Sequence, residues 1–357
     1  MPYPDNSKYA DFSKAVLVWF QDHGRKNFPW QLNPSPYRVW ISEIMLQQTQ
    51  VATVIPYYQK FLQSFPDLKK LALAEEDKVL HHWTGLGYYA RARNLHKAAK
   101  IIYHDHQSVF PATLEELIDL PGIGRSTAGA ILALADDKYA VILDGNVKRV
   151  LSRFHCVEGW YGQSSTIKQL WELAERYTPA KNCRNYTQAM MDLGATLCTR
   201  TKPSCSLCPL VLHCEAYLSQ RTSEFPQKKP KKKLPVKTTQ MLILQNKSGN
   251  KVLLEKRPPH GIWGGLWSFP EIQEKDSIKS FVQKNGFTVK NEIMSWNNLR
   301  HTFSHFHLDI RPKILNLQKD TNMVMEKPGW HWYDLNSPPE LGLASPVKTL
   351  LEMLSNK

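Results

Sequence analysis

The chain has 357 residues, and its 46 Lys plus Arg against 32 Asp plus Glu give a formal charge of +14, a balance that favours polyanionic partners such as nucleic acid. With 42% hydrophobic residues it is too apolar for general disorder, and its wholly apolar runs, such as Ala128 to Ala135, fall far short of the ~18 residues of a membrane span. The length predicts two or three domains, and the polar start with Asp5, Lys8 and Asp11 predicts no secretory signal, no membrane and a reducing, cytoplasmic setting for six cysteines.

From Asp11 to Val211 the apolar residues recur at helical spacing, as in Phe12, Ala15, Val16, Trp19 and Phe20, which share one face. Breaks at Pro29, Pro34 to Pro36, Pro66, Pro111, Pro121 and Pro179 divide this stretch into roughly ten helices, so residues 1–225 are expected to be an all-α domain. Residues 226–238 follow as a basic linker, with six lysines, three prolines and no acid between Pro226 and Lys237. The period then shifts towards two. Met241–Leu244 and Val252–Leu254 flank the turn-like Lys247 to Asn250 and predict a hairpin, with later strands over Phe306–Ile310, Lys313–Leu317 and His331–Tyr333. Helices are expected over Ser277–Asn285 and from Ser345, as N-cap, with Pro346 at the first helical position. Residues 239–357 are therefore read as a separate α+β domain.

Four segments carry chemistry. Glu43 is the one acid in the run Trp40 to Val51; on an exposed face it would be an ordinary helix residue, whereas an apolar setting would raise its pKa and make it a general acid near neutrality. Leu120-Pro121-Gly122-Ile123-Gly124-Arg125-Ser126 sits between two helical patterns, where glycines let backbone N–H groups and a helix N-terminus meet a phosphate. The same residues also make ordinary helix-to-helix turns. Asp144 follows an apolar run, beside Lys148 and Arg149, and is either a helix N-cap, a carboxylate that stabilises positive charge developing on a sugar, or both. Cys198, Cys205, Cys208 and Cys214 form C-x6-C-x2-C-x5-C, a spacing suited to one metal centre or cluster, with zinc as the competitor. Cys156 and Cys183 fall outside it and are read as buried packing residues.

In this order the motifs resemble the helix-hairpin-helix glycosylase superfamily, and within it the MutY family of adenine DNA glycosylases, over roughly Phe12 to Leu354. The resemblance implies a catalytic helical domain with its hairpin at about 113–133 and a 4Fe-4S cluster on the 198–214 loop. Glu43 would protonate adenine at N7 and Asp144 would stabilise the oxocarbenium-like state. Ser126 stands where bifunctional relatives carry a nucleophilic lysine; a Schiff base needs an amine, so hydrolysis is expected. By the same resemblance Arg25, Gln188 and Met191 are candidates for the adenine pocket, and Asn146 would orient Asp144. Leu46, Gln48 and Tyr88 would wedge into the duplex or meet the opposite base, the alternative for Leu46 and Tyr88 being the core. Gly122, Gly124, Arg125, Ser126 and Lys148 would meet the DNA backbone.

Arg257 to Glu271 resembles the start of a Nudix domain. Gly265, Glu271, Phe281, Gly286 and Phe287 fit its box, but Ser280, Gln283 and Lys284 replace the metal-binding acids and Lys279 the arginine. Magnesium sites need carboxylates, so recognition rather than pyrophosphatase chemistry is expected of this α+β, Nudix-like fold. Phe303, Ser304 and His305 match the family's loop for reading 8-oxoguanine; the closely spaced histidines there are not read as a zinc site. The expected partner is duplex DNA with adenine opposite 8-oxoguanine or guanine, bound by a nucleoid-associated monomer. The rivals are an endonuclease III-like pyrimidine glycosylase-lyase and a non-catalytic iron-sulfur DNA-binding protein.

Overall fold

The computed structural model describes residues 7–229, 233–319 and 327–355; the middle of the expected linker, at 230–232, and both chain ends lie outside them. The chain divides into two compact units, Met1–Leu73 with Asn94–Lys231, and Ala74–Arg93 with Lys232–Lys357.

The first unit is helical: α1 (Ser7–His23), α2 (Pro36–Leu46), α3 (Val51–Ser64), α4 (Leu68–Ala72), most of α6 (Ala90–His104), α7 (Leu114–Ile118), α8 (Arg125–Asp136), α9 (Gly145–Phe154), α10 (Ser164–Tyr177), α11 (Cys183–Thr196) and α12 (Glu215–Leu218), with 3-10 turns at Cys205–Leu207 and Val211–His213. Local chemistry sets the ends that matter. Ser35 caps α2 by accepting from Arg38 N, with Pro36 in the first turn, and Thr113 and Glu116 form a capping box on α7. Helix α8 is buried without interruption from Ala128 to Ala135, and its small side chains let α2 and α11 pack closely on it.

The second unit holds an eight-stranded sheet with the order β3-β2-β1-β7-β5. Its strands are β1 (Val236–Gln245), β2 (Lys251–Lys256), β3 (Trp267–Ser268), β4 (Glu271–Ile272), β5 (Val289–Ser295), β6 (Leu299–Thr302), β7 (His307–Leu317) and β8 (Trp330–Asp334), joined by helices α13 (Ile278–Lys284) and α14 (Ser345–Ser355). The β1–β2 hairpin is antiparallel with Gln245 opposite Val252, while β1 runs parallel to β7 from Val236–His307 to Gln245–Asn316. The two strands expected at 306–310 and 313–317 are one. Pro312 is tolerated inside β7 because it falls between the stretch paired with β6, which ends at Ile310, and that paired with β5, which begins at Lys313. The short strands β3, β4 and β6 carried too few alternating residues to be expected, and β5, with seven residues, was not expected either.

Residues 74–93, expected within one helical body, group instead with the sheet. Helix α5 (Glu76–Trp83) and the loop after it are tied to that unit's own chain. Tyr89 Oη donates to Leu343 O (3.0 Å), Leu343 N donates to Thr84 Oγ1 (3.3 Å), and Lys256 pairs with Asp77 (3.0 Å).

Candidate active site

A cleft of about 440 Å³ in the helical unit gathers most of the expected site residues: Arg25, Glu43, Leu46, Gln48, Ser126, Asp144, Asn146, Gln188 and Met191 all line it. Helix α2 supplies Glu43 from a turn whose flanking residues Val39 to Ser42, Ile44 and Met45 are buried, so the carboxyl is half-buried on an apolar floor. Burial, with the charge of Asp144 as a second cause, pushes the Glu43 pKa up to about 8.

Asp144 is an N-cap. Its carboxylate accepts from Asn146 N (3.0 Å), Val147 N (2.8 Å) and Asn146 Nδ2 (2.9 Å) at the start of α9. Burial raises its pKa, while those N–H donors and Arg149 oppose the rise. The two acids therefore differ in kind: at Asp144 N–H donors work against the effect of burial, whereas at Glu43 the apolar floor and the Asp144 charge both favour the protonated form. Gly194 of α11 is required by this arrangement, since a Cβ there would lie 2.5 Å from the Asn146 Cβ.

The other wall of the cleft depends on a residue that sequence reasoning missed. Asp192 is fully buried and accepts from Arg25 N (2.7 Å), Arg25 Nε (2.9 Å), Arg25 Nη2 (2.7 Å) and Gln188 Nε2 (2.9 Å). It fixes both polar candidates at once. The available signal was a lone acid four residues after Gln188, one helical turn away on a largely apolar helix. Phe28 and Trp30 were missed as well; they stack at 5.1 Å and 26°, and both line the cleft. Leu46 is half-buried there rather than in the core, and Gln48 is exposed with φ +58°.

The hairpin between α7 and α8 has Gly122 at φ +82° with its α-hydrogen side against Asn94, where a Cβ would come within 2.8 Å. Gly124 is the N-cap of α8 and brings no side chain to the first-turn N–H groups, so these remain for an anion. Ser126 Oγ accepts from Leu143 N (3.0 Å), which ties the hairpin helix to the apolar run before Asp144. Arg125 does not project freely: its guanidinium pairs with Glu175 and covers the Trp171 ring at 4.1 Å. Lys148 lies 5.5 Å from the Tyr161 ring centroid, with burial lowering its pKa and Asp144 opposing. Tyr88 belongs to the other unit, where it is 51% exposed at φ +47°.

Cys198, Cys205, Cys208 and Cys214 line one small enclosed cavity. Among the described residues no group of three or more His, Cys, Asp or Glu is placed to hold a single metal ion; the four thiols ring a space rather than a point. Arg153, buried on α9, donates to Cys198 Sγ (3.3 Å) and Thr199 O (2.7 Å), and Arg149 joins Asn146 Oδ1 (2.9 Å) to Cys198 O (2.7 Å). One helix thus carries the Asp144 cap at its start and the ties to the cysteine loop further on. Cys183 is buried as expected, but Cys156 is not. It is half-exposed in the left-handed conformation (φ +47°) that ends α9, where a helix terminus turns out towards solvent.

The sequence profile of HhH-GPD superfamily base excision DNA repair proteins matches residues 41–176, and that of the NUDIX domain matches residues 240–353. An adenine DNA glycosylase of Buchnera aphidicola subsp. Acyrthosiphon pisum is 40% identical over 97% of this chain and 98% of its own length. This chain belongs to the adenine DNA glycosylase family. The Homo sapiens adenine DNA glycosylase is 31% identical over 92% of this chain and 71% of its own. A thermostable thymine-DNA glycosylase structure matches 60% of this chain and 98% of that one at TM-score 0.53 and 29% identity. Endonuclease III in a non-covalent complex with DNA, at TM-score 0.52 and 19% identity over 61% of this chain and 99% of that one, shares the fold of the helical part.

In this adenine DNA glycosylase family member, the Nudix-like unit keeps its box glutamate without the box's metal acids. Glu271 pairs with Arg257; burial raises its pKa and the Arg257 charge opposes the rise. Ser280, Gln283 and Lys284 fall on α13. The Phe303–His305 loop joins β6 to β7. Ser304 and His305 are exposed, while Phe303 stacks on Phe306 (4.7 Å, 25°) and packs against His301 (4.6 Å) and Trp263 (5.4 Å).

Proposed function

We propose that this adenine DNA glycosylase removes adenine placed opposite 8-oxoguanine or guanine in duplex DNA, by acid-assisted hydrolysis in the cleft. The observation that carries the reading is the pairing of a carboxyl pushed up to about 8 with a second carboxylate held by three N–H donors in the same cavity. Adenine is a poor leaving group as an anion. Glu43 protonates it at N7, the electron pair of the glycosidic bond departs with the base, and Asp144 stabilises the positive charge on the sugar. Water then bonds to that carbon and returns a proton to Glu43. Arg25 and Gln188, fixed by Asp192, present donors to the adenine edge, and Met191 and Trp30 its apolar faces. Among the described residues no lysine lines the cleft, and Ser126 stands at the hairpin, which favours hydrolysis over a lyase.

The hairpin N–H groups and Lys148 meet the DNA backbone, Leu46, Gln48 and Tyr88 enter the duplex where the base has left the stack, and Ser304 and His305 read the opposite base. The four cysteines fit a 4Fe-4S cluster, since their side chains line one cavity. Bound there, the cluster would supply a cross-link that fixes the 198–214 loop against Arg149 and Arg153. A glycosylase assay on matched duplexes tests the reading. Excision of adenine opposite 8-oxoguanine and guanine, well ahead of thymine, is the expected result, and no preference for adenine would overturn it.

A further inference from the structure

A second cavity, of about 270 Å³, lies within the helical unit beside the active cleft, and Trp30 and Gln188 line both. These two side chains are a common wall. Trp30 is held in it by the stack on Phe28 and an edge contact with Tyr58 (5.4 Å, 77°), whereas Gln188 is held through its hydrogen bond to Asp192 (2.9 Å). The floor is apolar, from the buried Phe20, Val39 and Leu134, and the rim carries the exposed amides of Gln21 and Asn185. No acid lines it.

We propose that this rear cavity is a binding site for a free purine base, which takes up adenine once the glycosidic bond has broken. The proposal rests on the reading that the cleft releases adenine, and extends it to where the base goes. During the reaction the duplex covers the mouth of the cleft and the abasic sugar still occupies its sugar end, so the freed base leaves sideways. Rotation of the Gln188 side chain is the smallest movement that opens the shared wall, because Trp30 is packed on two rings. Aromatic walls suit a planar heterocycle, and carboxamides can both donate to and accept from an adenine edge. The volume is ample for a free base.

Equilibrium dialysis of the full chain against radiolabelled adenine tests the site directly. Two variants fill it from different sides, Asn185→Trp at the exposed rim and Leu134→Phe at the floor. Wild type is expected to saturate at two adenines per chain and each variant at one, with single-turnover excision within about twofold of wild type and slower appearance of free adenine after cleavage. Saturation of wild type at one adenine, or two in both filled variants, would overturn the proposal. Failure of wild type to excise adenine would instead strike the functional reading, and the dialysis result would stand by itself.

Discussion

The cleft and the 303–305 loop use different means to hold their polar groups. In the cleft, Asp144 is fixed by three N–H donors and Arg25 by a forked ion pair to a buried carboxylate. In the loop, Ser304 and His305 stand in solvent, and what is fixed is the aromatic base beneath them, Phe303 on Phe306, His301 and Trp263. Charge development in a reaction is stabilised most by dipoles that do not have to reorganise, so a catalytic carboxylate profits from a rigid shell. A reader of a base loses its hydration only when the duplex arrives, and needs just a defined platform. Damage to the cleft should therefore abolish chemistry, and damage to the loop should change only discrimination.

The largest effect is expected at Glu43. Glu43→Gln removes the transferable proton and should lower single-turnover excision by roughly 10³- to 10⁴-fold, with duplex binding retained. Full activity would remove Glu43 from the mechanism. The pH dependence follows from the same residue: the reactive form is protonated, so kcat/KM should fall as pH rises through about 8. The sign for stability is the reverse of the usual carboxylate. Since folding raises the pKa from 4.5 to about 8, this group makes the protein less stable as pH increases across that window, and Glu43→Gln should melt higher than wild type at pH 8.

Asp144→Asn separates the cap from the charge. Asn caps a helix about as well as Asp, so the melting temperature should hardly move, whereas excision should fall by about 10²- to 10³-fold. A normal single-turnover rate would reduce Asp144 to a structural cap. In the loop, Ser304→Ala removes one hydrogen-bonding group, worth about 1 kcal/mol, and should shrink the preference for adenine opposite 8-oxoguanine over guanine by roughly fivefold. Excision opposite guanine should stay as it was; an equal loss on both duplexes would show that the loop does not discriminate.

Much of the cleft was legible in the sequence because its chemistry needs particular side chains at short range. A lone acid in an apolar helix, a Gly-rich hairpin and an acid after an apolar run mark Glu43, Gly122 to Ser126 and Asp144. What could not be read were partnerships across the fold. Asp192 lies 167 residues from Arg25, and no local pattern announces that pair. The grouping of residues 74–93 with the sheet depends on hydrogen bonds such as Tyr89 to Leu343, 254 residues apart. Helical periodicity identified α5 as helical in character but carried no information about which unit it would join. Likewise β3 and β4 have only two residues each and owe their existence to β2 and β1 alongside.

The smallest effect is expected at Arg125, and it sharpens the comparison within the hairpin itself. The family resemblance implies that this arginine meets the DNA backbone, but its guanidinium is engaged by Glu175 and Trp171, and both partners of the ion pair are close to half exposed. Such a pair contributes little, so Arg125→Ala should cost no more than about 1 kcal/mol of stability. For DNA the question is whether the backbone or the side chain makes the contact. If the N–H groups after Gly124 do so, the salt dependence of duplex binding should keep its slope in the Arg125→Ala variant. A slope smaller by about one charge would mean that Arg125 leaves Glu175 for a phosphate when DNA binds. Glu175→Gln then gives the complementary reading: it frees the arginine, and it should tighten binding only if that exchange takes place.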